Sequence, residues 1–591
     1  MYNRFRKWLS IKKNQNARGI ILVFIVLFNV LLWLISSLIA YLIQPSLYGN
    51  VVKALWSSGI TWMLEPGFYD PTVPVAIRVI SIIVILLSMI TFTGGIIGYV
   101  ANFFSNIIDN AKQGKNKLYV YDHILILNWN YKALELIADY RYDDDTNTIV
   151  ILSDRPKGDI EEDIKRKFYR NDKKKMDIIV REGEVFSKHD LMDVCIEKAK
   201  TIMILADEQD HQSAAHLDML GMKTLMLVAH LNLSDDQTIL IEVKEQKSIG
   251  LIKDYIAKNT SRSHQILPLL PDELMGRLIA QTLLMPTLHK VYHELFSFEG
   301  AEFYTLPEQN PREFMESHHK AIPIYTLNNH LYVLSESSLC VKERRDQPLH
   351  SYTPLKFHHE SRYHKKHIVI FGKNQKLPYI LDSIKLYERE NKTEVKVSLV
   401  ESNEAKDIEK FMDSNEKIDH IVILSEDHLS PEEYDSDVLL TLLMTQELAK
   451  KHHAEIIIEL LDPRHFDIAQ SYNVNNTIIS NEYVSHMMTQ LSKNRHLYDL
   501  FIDLLTYDAC DSEDETYEVY AYPAKHILST TLPLTFKSKA EMIYSFYMSG
   551  EQSYILIGIS KKDHFKIFKG DLDIEEEITV EEDDELILIC K

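Results

Sequence analysis

Carboxylates, histidines and turn residues are the groups in this chain able to bind or react, and none falls in the spacing of a familiar catalytic centre. There is no GxSxG elbow, no Walker loop and no HExxH pair. Glu65 and Asp70 flank Pro66, Gly67, Phe68 and Tyr69, and repeated around an axis such acids would concentrate cations and exclude anions. Two short turns, Asn128–Trp129–Asn130 and Gly372–Lys373–Asn374, each follow an apolar run, and each is followed after a second apolar run by an acid, Asp154 or Glu401. In a dinucleotide-binding fold that first turn needs GxGxxG for close approach to pyrophosphate, and the acid takes the ribose hydroxyls. Neither turn has the glycines, which argues against NAD. Asn128, Asn130, Asp154, Gly372 and Glu401 remain candidate anchors for a cation or small polar ligand.

Other groupings are less specific. Acidic clusters at Asp143–Asp145, Asp511–Glu515 and Glu581–Glu585 lack EF-hand spacing and read as solvated faces. His358, His359, His364 and His367 are dense but sit in a basic stretch without a carboxylate cage, so no metal is assigned to them. Cys195, Cys340, Cys510 and Cys590 are widely spaced, which excludes a disulfide framework or zinc finger and fits a reducing compartment.

The elements that must position these residues begin with a membrane segment. Residues 19–43 carry no charge and are long enough to cross a bilayer, and residues 79–108 form a second uncharged stretch containing Gly94, Gly95 and Gly98. The first run exceeds a signal-peptide core and lacks a cleavage site. Arg4, Arg6, Lys7, Lys12, Lys13 and Arg18 precede the first stretch, and Lys112, Lys115 and Lys117 follow the second, placing both termini in the cytosol of a multi-pass cell-membrane protein. Between them, 51–70 reads either as a membrane-dipping helix or as an interfacial loop held by Trp56 and Trp62. Residues 1–120 have 11 lysines and arginines against Glu65, Asp70 and Asp109, a balance of +8, so the rest of a chain of net charge −21 carries −29. Such an acidic remainder is no nucleic-acid binder.

That remainder repeats itself. DHILILNWN from Asp122 and KHIVIFGKN from Lys366 open two series of apolar strands alternating with helices: TIVILSD and KVSLVE, KTIMILAD and DHIVILSE, TILIEVKE and AEIIIELLD, then the helices PDELMGRLIAQTL and SNEYVSHMMTQLS. Each series closes with a β-rich stretch containing LYVLSE or ELILIC. Strands buried on both faces and alternating with helices predict two tandem doubly wound parallel sheets. The expected organisation is a tail at 1–18, a pore-type domain at 19–110, a linker at 111–121, a first Rossmann-like domain at 122–290 with a β-rich subdomain at 291–346, a linker at 347–365, and a second pair at 366–515 and 516–591.

Two spans around a re-entrant segment followed by two Rossmann-type copies resemble ligand-gated cation channels with regulator-of-conductance (RCK) domains. TWMLEPGFYDP and HILILNWN resemble, more narrowly, bacterial relatives of the CASTOR/POLLUX ion channels. The resemblance implies no enzyme but a homotetramer in membrane lipid, with one pore and a cytosolic ring of eight RCK domains that responds to Ca²⁺, another cation or a small ligand. Aligned on the TVGYGD filter of potassium channels, Gly67 takes the first glycine, Glu65 the threonine, Phe68 the tyrosine, Tyr69 the second glycine and Asp70 the aspartate. Tyr69 resists the glycine conformation and Pro66 removes a donor, so selection by Glu65 and Asp70 is expected in place of a potassium-type carbonyl ladder. An alternative is that Glu65 caps the pore segment or pairs with Lys53 or Arg78. Gly94, Gly95 and Gly98 then read as a gating hinge, or as a site of close helix packing. Two other functions stay open: a K⁺ channel or uptake component under RCK control, and a membrane-anchored ligand-sensing subunit without conductance.

Overall fold

The computed structural model describes all residues except 1, 65–72, 113, 115, 143–145, 169–175, 209–212, 260–264, 298–299, 359–364, 392, 401–407, 409–410, 412–415, 428, 473, 475, 508–516, 551–552, 563 and 591. The chain divides into two compact units, Met1–Asn116 and Lys117–Lys591.

In the first unit, helix α1 (Tyr2–Ile43) contains a stretch, Val23–Ile43, long and apolar enough to cross a membrane, with a mean hydropathy of 2.6. Helical turns Val51–Ala54, Leu55–Ile60 and Thr61–Leu64 follow. The second uncharged stretch of the sequence lies in helix α2 (Val75–Ser88), a π-helical turn Met89–Thr93, and helix α3 (Gly94–Lys112), with Val75–Thr91 a shorter apolar segment. Ala40, Tyr48, Ala54, Trp62, Ile77 and Val84 form a small core, while Phe24, Leu27, Leu31, Ile82, Ile83 and Leu86 point outward. Trp33 donates its indole N–H to Leu55 O at 2.8 Å, fastening the short helices to α1, and Thr91 Oγ1 reaches Asn29 Oδ1 at 3.1 Å.

In the second unit, six parallel strands, β1 (His123–Leu127), β2 (Thr148–Ser153), β3 (Asp177–Glu182), β4 (Ala199–Ile204), β5 (Thr238–Glu242) and β6 (Ile266–Leu269), take the order β3-β2-β1-β4-β5-β6. All five residues of β1 are buried, as a central strand covered on both faces requires. The helices that matter below are α4 (Tyr131–Tyr140), α5 (Ala214–Ala229) and α6 (Pro271–Leu284). Strands β7 (Glu302–Pro307), β8 (Ala321–Leu327) and β9 (His330–Ser335) then form an antiparallel sheet with β9 central.

The second copy has β10 (Lys365–Phe371), helix α7 (Leu377–Asn391), β11 (Glu394–Val400), β12 (His420–Ile423), helix α8 (Pro431–His452), β13 (Glu455–Leu460), β14 (Asn476–Ile479) and helix α9 (Ser480–Lys493). Its sheet order, β11-β10-β12-β13-β14, repeats that of the first copy, with no partner for β3 among the described residues. In the tail, β15 (Glu518–Pro523), β16 (Leu534–Ser538), β17 (Tyr554–Lys561), β18 (His564–Ile567), β19 (Glu575–Val580) and β20 (Glu585–Cys590) form two sheets, with β20 between β15 and β17 as β9 lies between β7 and β8. His367 belongs to β10 and not to the linker, and it is buried with Nε2 2.9 Å from Ser398 Oγ.

The copies share one core because they exchange their last helices. Helix α6 of the first copy lies on α7 of the second, and α9 of the second lies on α4 of the first. The exchange is nearly symmetric in detail: a Cβ on Gly276 would meet Lys376 O at 2.7 Å, and Ser485, at the matching position of α9, donates Oγ to Lys132 O at 3.2 Å. Leu136, Ile137, Leu278 and Leu283 pack in one cluster with Ile380, Met487 and Met488. Each side chain so buried contributes about 1.5–3 kcal/mol, so neither copy is expected to stand alone.

Candidate functional site

Both first strands end in a residue of left-handed conformation, Asn128 (φ 72°) and Gly372 (φ 82°). At Gly372 this is a steric necessity, since a Cβ would lie 2.0 Å from Leu424 O. Asn128 instead donates Nδ2 to Leu205 O at 2.9 Å. Two residues on, Asn130 and Asn374 turn their Oδ1 atoms onto the backbone N–H groups of Lys132 and Lys376, each at 3.1 Å. A dinucleotide-binding turn has glycine at this second position, which frees the helix N-terminus for phosphate. Here the asparagine takes an N–H that a phosphate would take. Trp129 between them is buried in the common core.

Two residues after Asn130 and after Asn374 stands a lysine that sequence reasoning missed. Lys132 Nζ lies 3.0 Å from Glu208 Oε1 and 3.0 Å from Glu242 Oε1, and Lys244 Nζ pairs with Glu208 and lies 3.1 Å from Glu242 Oε1. The other Glu242 oxygen accepts from Ala206 N at 3.0 Å and Asn130 Nδ2 at 3.1 Å. Burial favours the neutral acid, but the two ammonium groups outweigh it and hold both carboxyls below the usual range.

The second copy keeps half of this arrangement. Lys376 Nζ lies 3.2 Å from Glu459 Oε1, the counterpart of Glu242, and 3.2 Å from Asp272 Oδ1, which arrives on α6 from the first copy. Glu459 also accepts from Tyr434 Oη at 2.6 Å and from Ser480 Oγ. Burial alone would lower the Lys376 ammonium, yet Glu459 and Asp272 hold it above its ordinary value. The loop after the acid is pinned alike in both copies: Asp218 accepts from Lys244 N (2.7 Å) and Glu245 N (3.0 Å), and Asp435 from Leu461 N (2.7 Å) and Asp462 N (3.0 Å). Leu461 therefore stands where the first copy has Lys244.

Of the residues singled out from sequence, Asn128, Asn130 and Gly372 lie at these clefts, although the two asparagines bond to the protein itself. Asp154 is exposed just past β2, while Glu401, the whole run Glu65–Asp70 and the acids at Asp143–Asp145 and Asp511–Glu515 lie outside the described residues. Glu581–Glu585 is a turn and the start of β20, with Asp583 paired to Lys525 and Asp584 3.4 Å from Lys561. A Cβ on Gly95 would meet Ile25 Cδ1 at 2.8 Å, so this glycine serves close packing of α3 on α1, whereas Gly98 faces open space. The missed residues did leave a signal, since NYK and NQK begin the two helices and ILIE and IIIE end the two matching strands.

Residues 125–247 match the family model of the calcium-activated potassium channel slowpoke-like RCK domain. Probable ion channel POLLUX of Arabidopsis thaliana is 25% identical over 259 residues, 43% of this chain and 30% of that protein. Ion channel CASTOR of Lotus japonicus is 20% identical over 587 residues, 85% of this chain and 67% of that protein. The chain is thus similar to CASTOR- and POLLUX-type ion channels. None of these relatives is named as an enzyme. The chain thus spans about a third of the length of the POLLUX relative. The human SLO3 gating ring superposes with a TM-score of 0.53 at 12% identity, covering 79% of this chain and 99% of that structure, which fixes the fold of the second unit as RCK-type.

Proposed function

We propose that the chain is the subunit of a ligand-gated cation channel of the cell membrane, its pore built from 19–110 and controlled by a cytosolic ring of RCK domains. The observation that carries this reading is the duplicated RCK fold following an apolar helix of membrane-spanning length, in a chain similar over 85% of its length to an ion channel. A homotetramer would bring four copies of Glu65–Asp70 around one axis, making rings of carboxylates that favour cations over anions and do not demand K⁺. Exposed Met219 and Met226 on α5, and Leu440 and Leu443 on the matching helix α8, supply apolar faces suited to closing a ring of copies. Bending for gating fits the π-helical turn Met89–Thr93 that runs into Gly94. With Asn130 and Asn374 occupying helix N–H groups, a dinucleotide is a poor ligand for either cleft.

Purified protein in liposomes is expected to pass K⁺, Na⁺ and Ca²⁺ but not anions, and absence of any flux would overturn the channel reading. Glu65→Gln should lower cation conductance and relax divalent preference. Wild-type ion ratios in that variant would move selectivity to the backbone around Gly67.

A further inference from the structure

Ile25, Asn29 and Trp33 stand at successive turns on one face of helix α1. Trp33 donates to Leu55 O at 2.8 Å, which ties α1 to the π-helical turn Leu55–Ile60. One turn below Asn29, a Cβ on Gly95 would lie 2.8 Å from Ile25 Cδ1, so the two helices approach closely here. That approach brings Asn29 to Thr91, which precedes Gly95 by one turn. Asn29 is only 3% exposed, and its Nδ2 donates to Ile25 O at 2.8 Å, leaving Oδ1 for Thr91. Thr91 Oγ1 lies 3.1 Å from Asn29 Oδ1 and 2.7 Å from Leu87 O. A hydroxyl has one proton to donate, so Thr91 bonds either across the helices or back along its own. Asn29 stands about 9 Å inside the apolar stretch that begins at Val23, where no water replaces a broken bond.

We propose that Asn29 and Thr91 form a latch between the two apolar segments, which holds the π-helical turn Met89–Thr93 in the position seen here and opens when Thr91 turns its O–H from Asn29 Oδ1 to Leu87 O. Leu87 O is within reach throughout, so the hydroxyl always has an acceptor and only the bond across the helices is lost. Helix α1 is the fixed side, since Trp33 fastens it to the turn at Leu55. The moving side is a π-helical turn followed directly by Gly94, and helices deform at such turns. The bond itself does not depend on the channel reading, but its consequence, that release changes opening, rests on it.

Single-channel recordings and melting curves of the full-length protein, of Asn29→Leu, of Thr91→Val and of the double variant test this. Each single substitution is expected to shift the ratio of open to closed time about threefold or more, as loss of one hydrogen bond between helices in lipid does. Ion ratios should not change, and the double variant should shift no further than either single one. Thr91→Ser keeps the hydroxyl and should stay near the wild-type ratio, which separates the bond from packing of the methyl group. Should Asn29→Leu not assemble, the contrast between Thr91→Val and Thr91→Ser decides alone. Additive shifts, an unchanged ratio in Thr91→Val, or Thr91→Ser behaving as Thr91→Val does overturns the proposal. If the wild-type protein passes no ions, the channel reading fails, and the latch is judged on the melting midpoints of the same proteins: a lowering that is not additive supports it, and additive or absent effects overturn it.

Discussion

In the second cleft a single lysine joins the acids of both copies. Lys376 is nearly buried between Glu459 of its own copy and Asp272 of the other. Removing one partner of such a group leaves buried charge without compensation, which costs about 3–5 kcal/mol. Lys376→Met is therefore expected to lower the thermal midpoint strongly, and an added Asp272→Asn should recover part of the loss because one stranded carboxylate disappears. A midpoint within error of wild type in Lys376→Met would show that the cluster contributes nothing to stability. At Gly372 the cost has a different origin: a methyl group meets Leu424 O at 2.0 Å while the backbone stays left-handed. Gly372→Ala should destabilise by ~1–3 kcal/mol or more, checked by the same melting experiment.

At the scale of elements, the exchanged helices are the contact that makes two copies one body. Helix α9 brings His486 to Asp139 of α4, with Nδ1 2.8 Å from Oδ1, and Glu482 lies 3.8 Å from the other ring nitrogen. Burial lowers the affinity of the ring for its proton, but Asp139, Glu482 and Glu135 outweigh it and hold the His486 pKa above its ordinary 6.5. Glu135 is in turn paired with Lys167, whose charge also acts on Asp139. A folded-state value above the unfolded one means that the stabilisation is complete below pH 6.5 and is lost as pH rises through the raised value. The melting temperature of wild type minus that of His486→Gln is expected to shrink with rising pH above 6.5, and a difference independent of pH would show that the pair does not titrate there. On the opposite side of the exchange, Gly276 allows α6 to approach α7 until its missing Cβ would touch Lys376 O and Tyr379 Cβ. Gly276→Val should force these helices apart, seen as faster proteolysis between the two copies.

For the whole molecule, large apolar residues left exposed on the surface of the RCK unit are a guide to assembly. Leu440 and Leu443 on α8 are 56% and 47% exposed, and Met219 and Met226 on α5 are 57% and 43% exposed. If these faces close a ring, Leu440→Glu with Leu443→Glu should reduce the mass measured by light scattering in detergent without lowering the melting temperature. An unchanged mass would place the ring contacts elsewhere.

The sequence by itself determined the repeat, the alternation of strand and helix, the apolar stretch at the N-terminus and the loss of GxGxxG, because each is written in local composition and periodicity. HILIL and KHIVIF read as central strands for that reason, and every residue of β1 is buried. Tertiary structure decided that α6 and α9 change places, since both are amphipathic helices whose pattern names a buried face but not the surface that buries it. It also decided that Lys132 meets Glu242, and that Lys376 meets Asp272, partners more than a hundred residues apart. Isolated charges at such separations carry no periodicity, so the clefts became legible only once the sheets had gathered their ends in one place.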